Sequence, residues 1–316
     1  MVLNNTRMKT KINIIILLTL LVYGVMYGQQ DAHYTQYMYN QNILNPAYAG
    51  STGDLSIGLL GRTQWLGIDG APDTQTLNLN SNLGHNLGAG LSILHDKIGP
   101  VEETNLAADI SYTIKTSYLG KLAFGIKGSY SFLNIGLAST EYQDSGDVAF
   151  DTDYSGSYPN VGVGLYYYTD KFYAGVAIPA LLERYKYEFN GFELSDVSDK
   201  IHYFGTLGYV FDLNSNLKLK PSALVKIVEG SPISLDFNAS LFINELFEVG
   251  LSYRDRDAID LILGVQATPK IRVGYAYDHT ISNLGAFNSG SHELMLQFDI
   301  DFKKLAPGFI KSPRFF

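Results

Sequence analysis

The residues in this chain best suited to metal or acid–base work are its six histidines, His33, His85, His95, His202, His279 and His292. They are dispersed, and none makes a metal pair at helical or strand spacing. Ser291-His292-Glu293 holds the residue types of a hydrolase triad. Neighbours in a strand point to opposite faces, so these three cannot form a triad among themselves. A barrel esterase would have to bring Ser and His together from different strands. Asp151, Asp153, Ser155 and Gly156 match the opening of a calcium loop. Gly162 stands at the twelfth position, where an acidic ligand is required, so the stretch reads as a solvated outer loop. Arg254-Asp255-Arg256-Asp257 reads as a hydrated turn or a docking point. Lys218, Lys220, Lys226, Asp236, Arg272, Asp299 and Asp301 suit a polar lumen or internal ion pairs. No catalytic residue, metal or cofactor is expected.

The elements that position these side chains are read from alternation. In the last run, Leu294, Leu296, Phe298, Ile300 and Phe302 fall on one face, and Glu293, Met295, Gln297, Asp299 and Asp301 on the other. Only a β-strand has a side-chain period of two. The same pattern recurs in Leu77, Leu79 and Leu83 against Asn78, Asn80 and Asn82. It recurs again in Ile233, Leu235, Phe237, Ala239, Leu241 and Ile243 against Ser234, Asp236, Asn238, Ser240 and Asn244. The expected strands are 54–64, 73–83, 87–96, 103–115, 120–136, 157–168, 171–178, 199–212, 216–228, 232–243, 246–254, 257–267, 270–279 and 290–302. About fourteen such strands behind an export signal predict an all-β fold, a transmembrane antiparallel β-barrel.

The connections sort by length. Gly84-His85-Asn86, Thr169-Asp170, Asn214-Ser215, Asn244-Glu245 and Thr268-Pro269 are hairpin-turn residues. The intervening connections tend to be longer: 65–72, 137–156, 179–198 and 280–289. Short turns on one rim and long loops on the other are the plan of a bacterial outer-membrane barrel. Pro221 sits inside an expected strand, and a proline cannot donate to the ladder, so a bulge or local break is expected there. The strand glycines, Gly88, Gly125 and Gly164 among them, read as barrel curvature and close aromatic packing.

The N-terminus reads as a secretory signal over residues 1–28. Arg7, Lys9 and Lys11 precede the apolar run Ile12 to Val22, and Gly28 offers a small residue for cleavage. The apolar run is short of the ~20 residues of a spanning helix. Cleavage takes away three positive charges and no negative ones, moving the net charge from −8 to −11. That balance disfavours nucleic-acid binding, and no nucleic-acid partner is expected. The abundance of tyrosine and glycine, 23 and 31 residues, fits strands that are half polar with aromatics crowding the membrane interfaces. Residues 29–53 have neither clean period and read as an ordered N-terminal periplasmic or plug segment, packed at or in the barrel mouth. The barrel then occupies 54–302, and 303–316 forms a C-terminal periplasmic tail.

Two blocks are more specific than a generic barrel. One runs from Gln36-Tyr37-Met38-Tyr39-Asn40 to Ile43-Leu44-Asn45-Pro46-Ala47-Tyr48-Ala49-Gly50. The other is Arg62-Thr63-Gln64-Trp65, followed by Gly67-Ile68-Asp69-Gly70-Ala71-Pro72 and Thr74-Gln75. With Asp96-Lys97-Ile98-Gly99-Pro100 and the closing Ser312-Pro313-Arg314-Phe315-Phe316, they resemble the PorP/SprF family of the type IX secretion and gliding machinery of Bacteroidota. Phe315 stands where that family often has tyrosine, and the outer loops show no particular match. The resemblance implies an outer-membrane barrel similar to the fatty-acid-transporter type, with no known catalysis. It also implies a role with the secretion machinery or with one large secreted cell-surface adhesin, in outer-membrane lipid. The alternative is an outer-membrane channel or hydrophobic small-molecule transporter. The candidate partner-binding or plug residues are Tyr37, Asn40, Asn45, Pro46, Ala47, Tyr48, Gly50, Arg62, Gln64, Trp65, Gly70 and Pro72. Asn45 precedes proline and is expected to be extended. Trp65, the only tryptophan, is either a partner anchor or an interface-belt aromatic.

Overall fold

The computed structural model describes residues 33–53, 55–138, 152–182, 187–189, 192–194 and 200–300. The expected signal segment, the C-terminal tail and part of the acidic loop lie outside the described residues. Fourteen antiparallel strands close into a barrel. They are β1 Leu55–Thr63, β2 Asp73–Gly84, β3 Leu87–Ile98, β4 Val101–Lys115, β5 Lys121–Ile135, β6 Tyr154–Tyr168 and β7 Phe172–Ile178. The second half comprises β8 His202–Tyr209, β9 Leu217–Val228, β10 Ser234–Ile243, β11 Phe247–Arg254, β12 Ala258–Thr268, β13 Ile271–Thr280 and β14 Ser291–Ile300. Each strand pairs with the next, and β1 pairs with β14 from Leu55↔Ile300 to Thr63↔His292, which closes the ring. A separate two-stranded hairpin, Tyr187–Phe189 with Phe192–Leu194, stands apart from the barrel sheet.

Every expected strand coincides with an observed one. At Pro221 the ladder shows a local break rather than a bulge. Gly208 pairs with Ser222 and Phe211 with Leu219 in one register, but the pairs at Tyr209 and Val210 between them are missing. The absent proline N–H breaks the bonding without shifting the strands. Pro159, on β6, avoids the same cost. Val161 turns its carbonyl away from β5 to accept from Leu181 N at 2.8 Å. Pro159, two residues earlier, faces the same way, so its missing donor falls outside the β5–β6 ladder.

Alternation maps onto the wall. On β11, Phe247, Val249, Leu251 and Tyr253 face outward and are exposed, while Glu248, Ser252 and Arg254 face inward and are buried. On this strand the inner face is polar and the outer face apolar. The inward charged residues balance. Arg62, Lys127, Lys220, Lys226, Arg254 and Arg272 face Asp109, Asp236, Glu248, Asp260, Asp278 and Glu293, all of them buried.

Residues 33–53 fill this interior. Three short pieces, a 3-10 turn at Tyr37–Tyr39, one helical turn at Gln41–Leu44 and a second 3-10 turn at Pro46–Tyr48, break any single period. Apart from His33 the segment carries no ionisable acid or base of the Asp, Glu, Lys or Arg type. A segment without formal charge thus sits in a lumen with six buried cations and six buried anions, and adds no further ion to be compensated there.

Candidate functional site

The segment runs through the lumen from the long-loop half to the short-turn rim, and three zones hold it. Near the long-loop rim, Thr35 N and Gln36 N donate to the Glu293 carboxylate at 2.9 and 2.7 Å. Thr35 Oγ1 donates to Asp278 at 2.7 Å. Arg62 pairs with Asp278 at 2.7 Å and with Glu293 at 3.2 Å. Arg254 joins Asp236 at 3.2 Å and Asp278 at 3.6 Å. Lys226 Nζ lies 2.8 Å from His33 Nε2. An ammonium can only donate, so His33 accepts there as a neutral ring. Burial, then Lys226, Arg254, Arg62 and His202, hold its imidazole well below the usual histidine range.

At mid-height the contacts are amide pairs and stacked cations. Asn78 donates to Asn40 at 2.9 Å, and Asn40 donates to Thr76 at 3.2 Å. Asn80 donates to Asn42 at 3.2 Å. Lys127 donates to the Asn42 carbonyl at 2.9 Å and pairs with Asp109 at 3.2 Å. Tyr39 donates its hydroxyl to Glu248, which also holds Arg272 at 3.3 Å. Lys220 lies over the Tyr39 and Phe242 rings at 5.4 and 4.8 Å, replacing water with π-faces. Tyr37, 1% exposed, donates to Ser222 at 3.1 Å.

At the short-turn end Asn45 is extended, with φ −140° and ψ 110°. Its Oδ1 accepts from Ala47 N at 2.9 Å and caps the following turn. Its Nδ2 donates to the Leu165 carbonyl at 3.0 Å. Tyr48 meets Tyr166 edge-on, with ring centroids 5.3 Å apart. A Cβ on Gly125 would stand 2.1 Å from Ala47 N, so only glycine lets the Pro46–Ala47 backbone lie against the wall there. Gly50, at φ +76°, crosses Gly88 in the same way, and a Cβ on it would fall 2.5 Å from the Gly88 Cα. These wall glycines admit the inner segment.

The twelve sequence candidates therefore divide in two. Tyr37, Asn40, Asn45, Pro46, Ala47, Tyr48, Gly50 and Arg62 belong to the lumen. Gln64, Trp65, Gly70 and Pro72 form a loop on the long-loop rim. Gln64 N donates to Pro72 O at 2.9 Å, and Trp65 N to Ser291 Oγ at 3.2 Å. Leu66 exchanges two backbone bonds of 2.8 Å with Gly290 and Ser289, and Gly99 N donates to Gly70 O at 2.8 Å. Trp65 is half-buried at φ +45°, a conformation uncommon for a bulky side chain. Leu66, next in the chain, and Phe287, in the loop it is bonded to, are exposed, Phe287 by 73%. Sequence reasoning missed Asp278, Glu293, Glu248 and Lys127 as partners of the inner segment. Their inward parity was visible, but their pairing depends on strand stagger. Ser291 and Glu293 face the lumen, while His292 faces outward and meets the Tyr275 hydroxyl at 2.7 Å, so no triad forms among the three.

The family described as Type IX secretion system membrane protein PorP/SprF matches residues 26–298, more than half of the chain. Among solved structures, the outer membrane protein Omp33 of Acinetobacter baumannii is 12% identical, with a TM-score of 0.47, covering 79% of this chain and 100% of its own. The CymD monoaromatic hydrocarbon channel is 11% identical with a TM-score of 0.48, covering 87% and 95%. A Pseudomonas aeruginosa FadL homologue is 13% identical with a TM-score of 0.39, covering 78% and 89%. A search of curated proteins gave no significant match.

Proposed function

The chain belongs to the PorP/SprF family, outer-membrane components of type IX secretion, and we propose that this member binds a large secreted adhesin and supports its export or surface anchoring without catalysis. The observation that carries this reading is the filled lumen. Residues 33–53 occupy the interior from one half to the other rim, and Arg62, Lys127, Arg254 and Arg272 are held in ion pairs with wall carboxylates around them. A barrel so occupied offers other proteins its rims rather than its bore. On the long-loop rim, loop 64–72 is tied to residues 289–290 and to Gly99 by backbone bonds; it carries the half-buried Trp65 and the exposed Leu66, and the loop bonded to it carries the exposed Phe287. A rigid apolar patch of this kind suits a partner anchor, because little ordering cost is left to meet on binding. The outward apolar faces of the strands meet outer-membrane lipid.

A second reading, an outer-membrane channel or hydrophobic small-molecule transporter, draws on the same lumen. The wall behind residues 33–53 is mostly polar, interrupted by Leu60, Phe204, Leu224, Ile262 and Met295, so withdrawing the segment leaves a largely wet path. Planar-bilayer recordings separate the two. Near-silence in the intact protein, with openings that become frequent in variants that loosen residues 33–53, supports the binding role. Conductance that is open from the start and unaffected by such variants supports the channel.

The adhesin itself is tested by comparing surface and secreted proteins of wild type and a deletion strain. Loss of one or two large proteins marks a dedicated accessory. Loss of all signal-bearing cargo marks a core component, and no loss overturns the secretion role.

A further inference from the structure

Two of the anchors near the long-loop rim belong to the strands that close the barrel, and a third to the strand beside them. In the β1–β14 ladder Arg62 stands directly opposite Glu293. They are 2% and 1% exposed and lie 3.2 Å apart. Asp278, on the adjacent β13, takes the other arm of Arg62 at 2.7 Å. Neither carboxylate is satisfied by arginine alone. Glu293 accepts the backbone donors of Thr35 and Gln36 on its two oxygens, and Asp278 accepts the Thr35 hydroxyl. Arg62 Nη1 also donates to Thr35 Oγ1 at 2.9 Å. An ionised carboxylate has about four acceptor sites, and a buried charge short of partners is strongly unfavourable. An open seam parts Arg62 from Glu293, and an empty lumen deprives Glu293 of two backbone donors. Each event removes a penalty that the other would otherwise meet.

We propose that docking of Thr35–Gln36 and closure of the β1–β14 seam are one cooperative event, so that the inner segment is part of the barrel's closing latch. A segment merely packed in a finished barrel would leave the seam indifferent to its presence. Coupling through shared groups appears as non-additivity.

The chain has no cysteine, so an introduced pair reports on a single seam. One pair, Ile57→Cys with Phe298→Cys, spans β1–β14; a control, Leu91→Cys with Ala108→Cys, spans β3–β4. Gln36→Pro removes one backbone donor to Glu293 and leaves every strand residue in place. Gln36→Ala keeps that donor. The full chain is refolded into lipid vesicles and mildly oxidised. Gln36→Pro is expected to lower the disulfide yield at 57/298 severalfold, leave 91/108 unchanged, and differ from Gln36→Ala. No loss at 57/298, an equal loss at both seams, or an equal loss in both Gln36 variants overturns the proposal. A second measurement compares unfolding midpoints, read by heat-dependent gel mobility, for Gln36→Pro, Glu293→Gln and the double variant. The double variant is expected to be no worse than the worse single one, and strict additivity overturns the proposal.

Discussion

Replacing Asn45 with alanine tests how firmly the inner segment is held at the short-turn end. Asn45 is 2% exposed and makes two side-chain bonds. Its Nδ2 bond to the Leu165 carbonyl joins segment to wall, and its Oδ1 bond from Ala47 keeps the Pro46–Tyr48 turn in the shape that fits. Losing the cap costs about 1 kcal/mol. Losing the wall bond costs about 1 kcal/mol more. Little refilling is available, because a Cβ on Gly164 would already stand 2.1 Å from Asn45 Oδ1. A total near 2 kcal/mol raises the released population about 30-fold. The assay is single-channel recording, in which Asn45→Ala should show open bursts about 30 times as often as wild type, with the barrel still heat-modifiable on gels. An unchanged burst frequency in a folded barrel would refute the view that these two bonds hold the segment in place.

Gly125→Val should force Pro46–Ala47 off the wall, and a cysteine placed at Ala47 in that background should become accessible to a water-soluble thiol reagent; protection equal to wild type would count against the close approach. His33 gives a pH test. Its folded pKa lies below its unfolded one, so the unfolded chain binds more protons just below pH ~6.5. The segment's anchorage should be fully present above that pH and weaken as pH falls through it, at most about 1.4 kcal/mol per unit, and burst frequency should rise accordingly; His33→Gln should remove this dependence. Trp65→Ala should leave the barrel inserted yet lower surface levels of the partner adhesin, and normal levels by surface labelling would exclude the anchor role.

The wall was legible in the sequence because a barrel strand announces itself residue by residue. Leu294 to Ile300 and Ile233 to Ile243 alternate without help from tertiary context, and Asn45 had to be extended before Pro46. The lumen was less legible. Alternation says that Arg62, Asp278 and Glu293 point inward, but only the stagger of β1, β13 and β14 brings them to one height. The asparagines at 78 and 80 read as a wet face, and nothing local announces Asn40 and Asn42 as their partners. Residues 33–53 hide their structure because three short turns leave no period, and Gly125 and Gly88 look like bends until the chain lying against them is seen.

Residue 54 alone separates Gly53 from the first residue of β1. The lumen segment is thus a stopper on a very short leash. Once dislodged it cannot diffuse away, and its return is a first-order event governed by an effective concentration of millimolar order or more. Openings should then end on their own, with a lifetime independent of how much protein is in the membrane. Anything that uses the bore must hold the loosened segment aside for as long as it passes, because outlasting it is not an option.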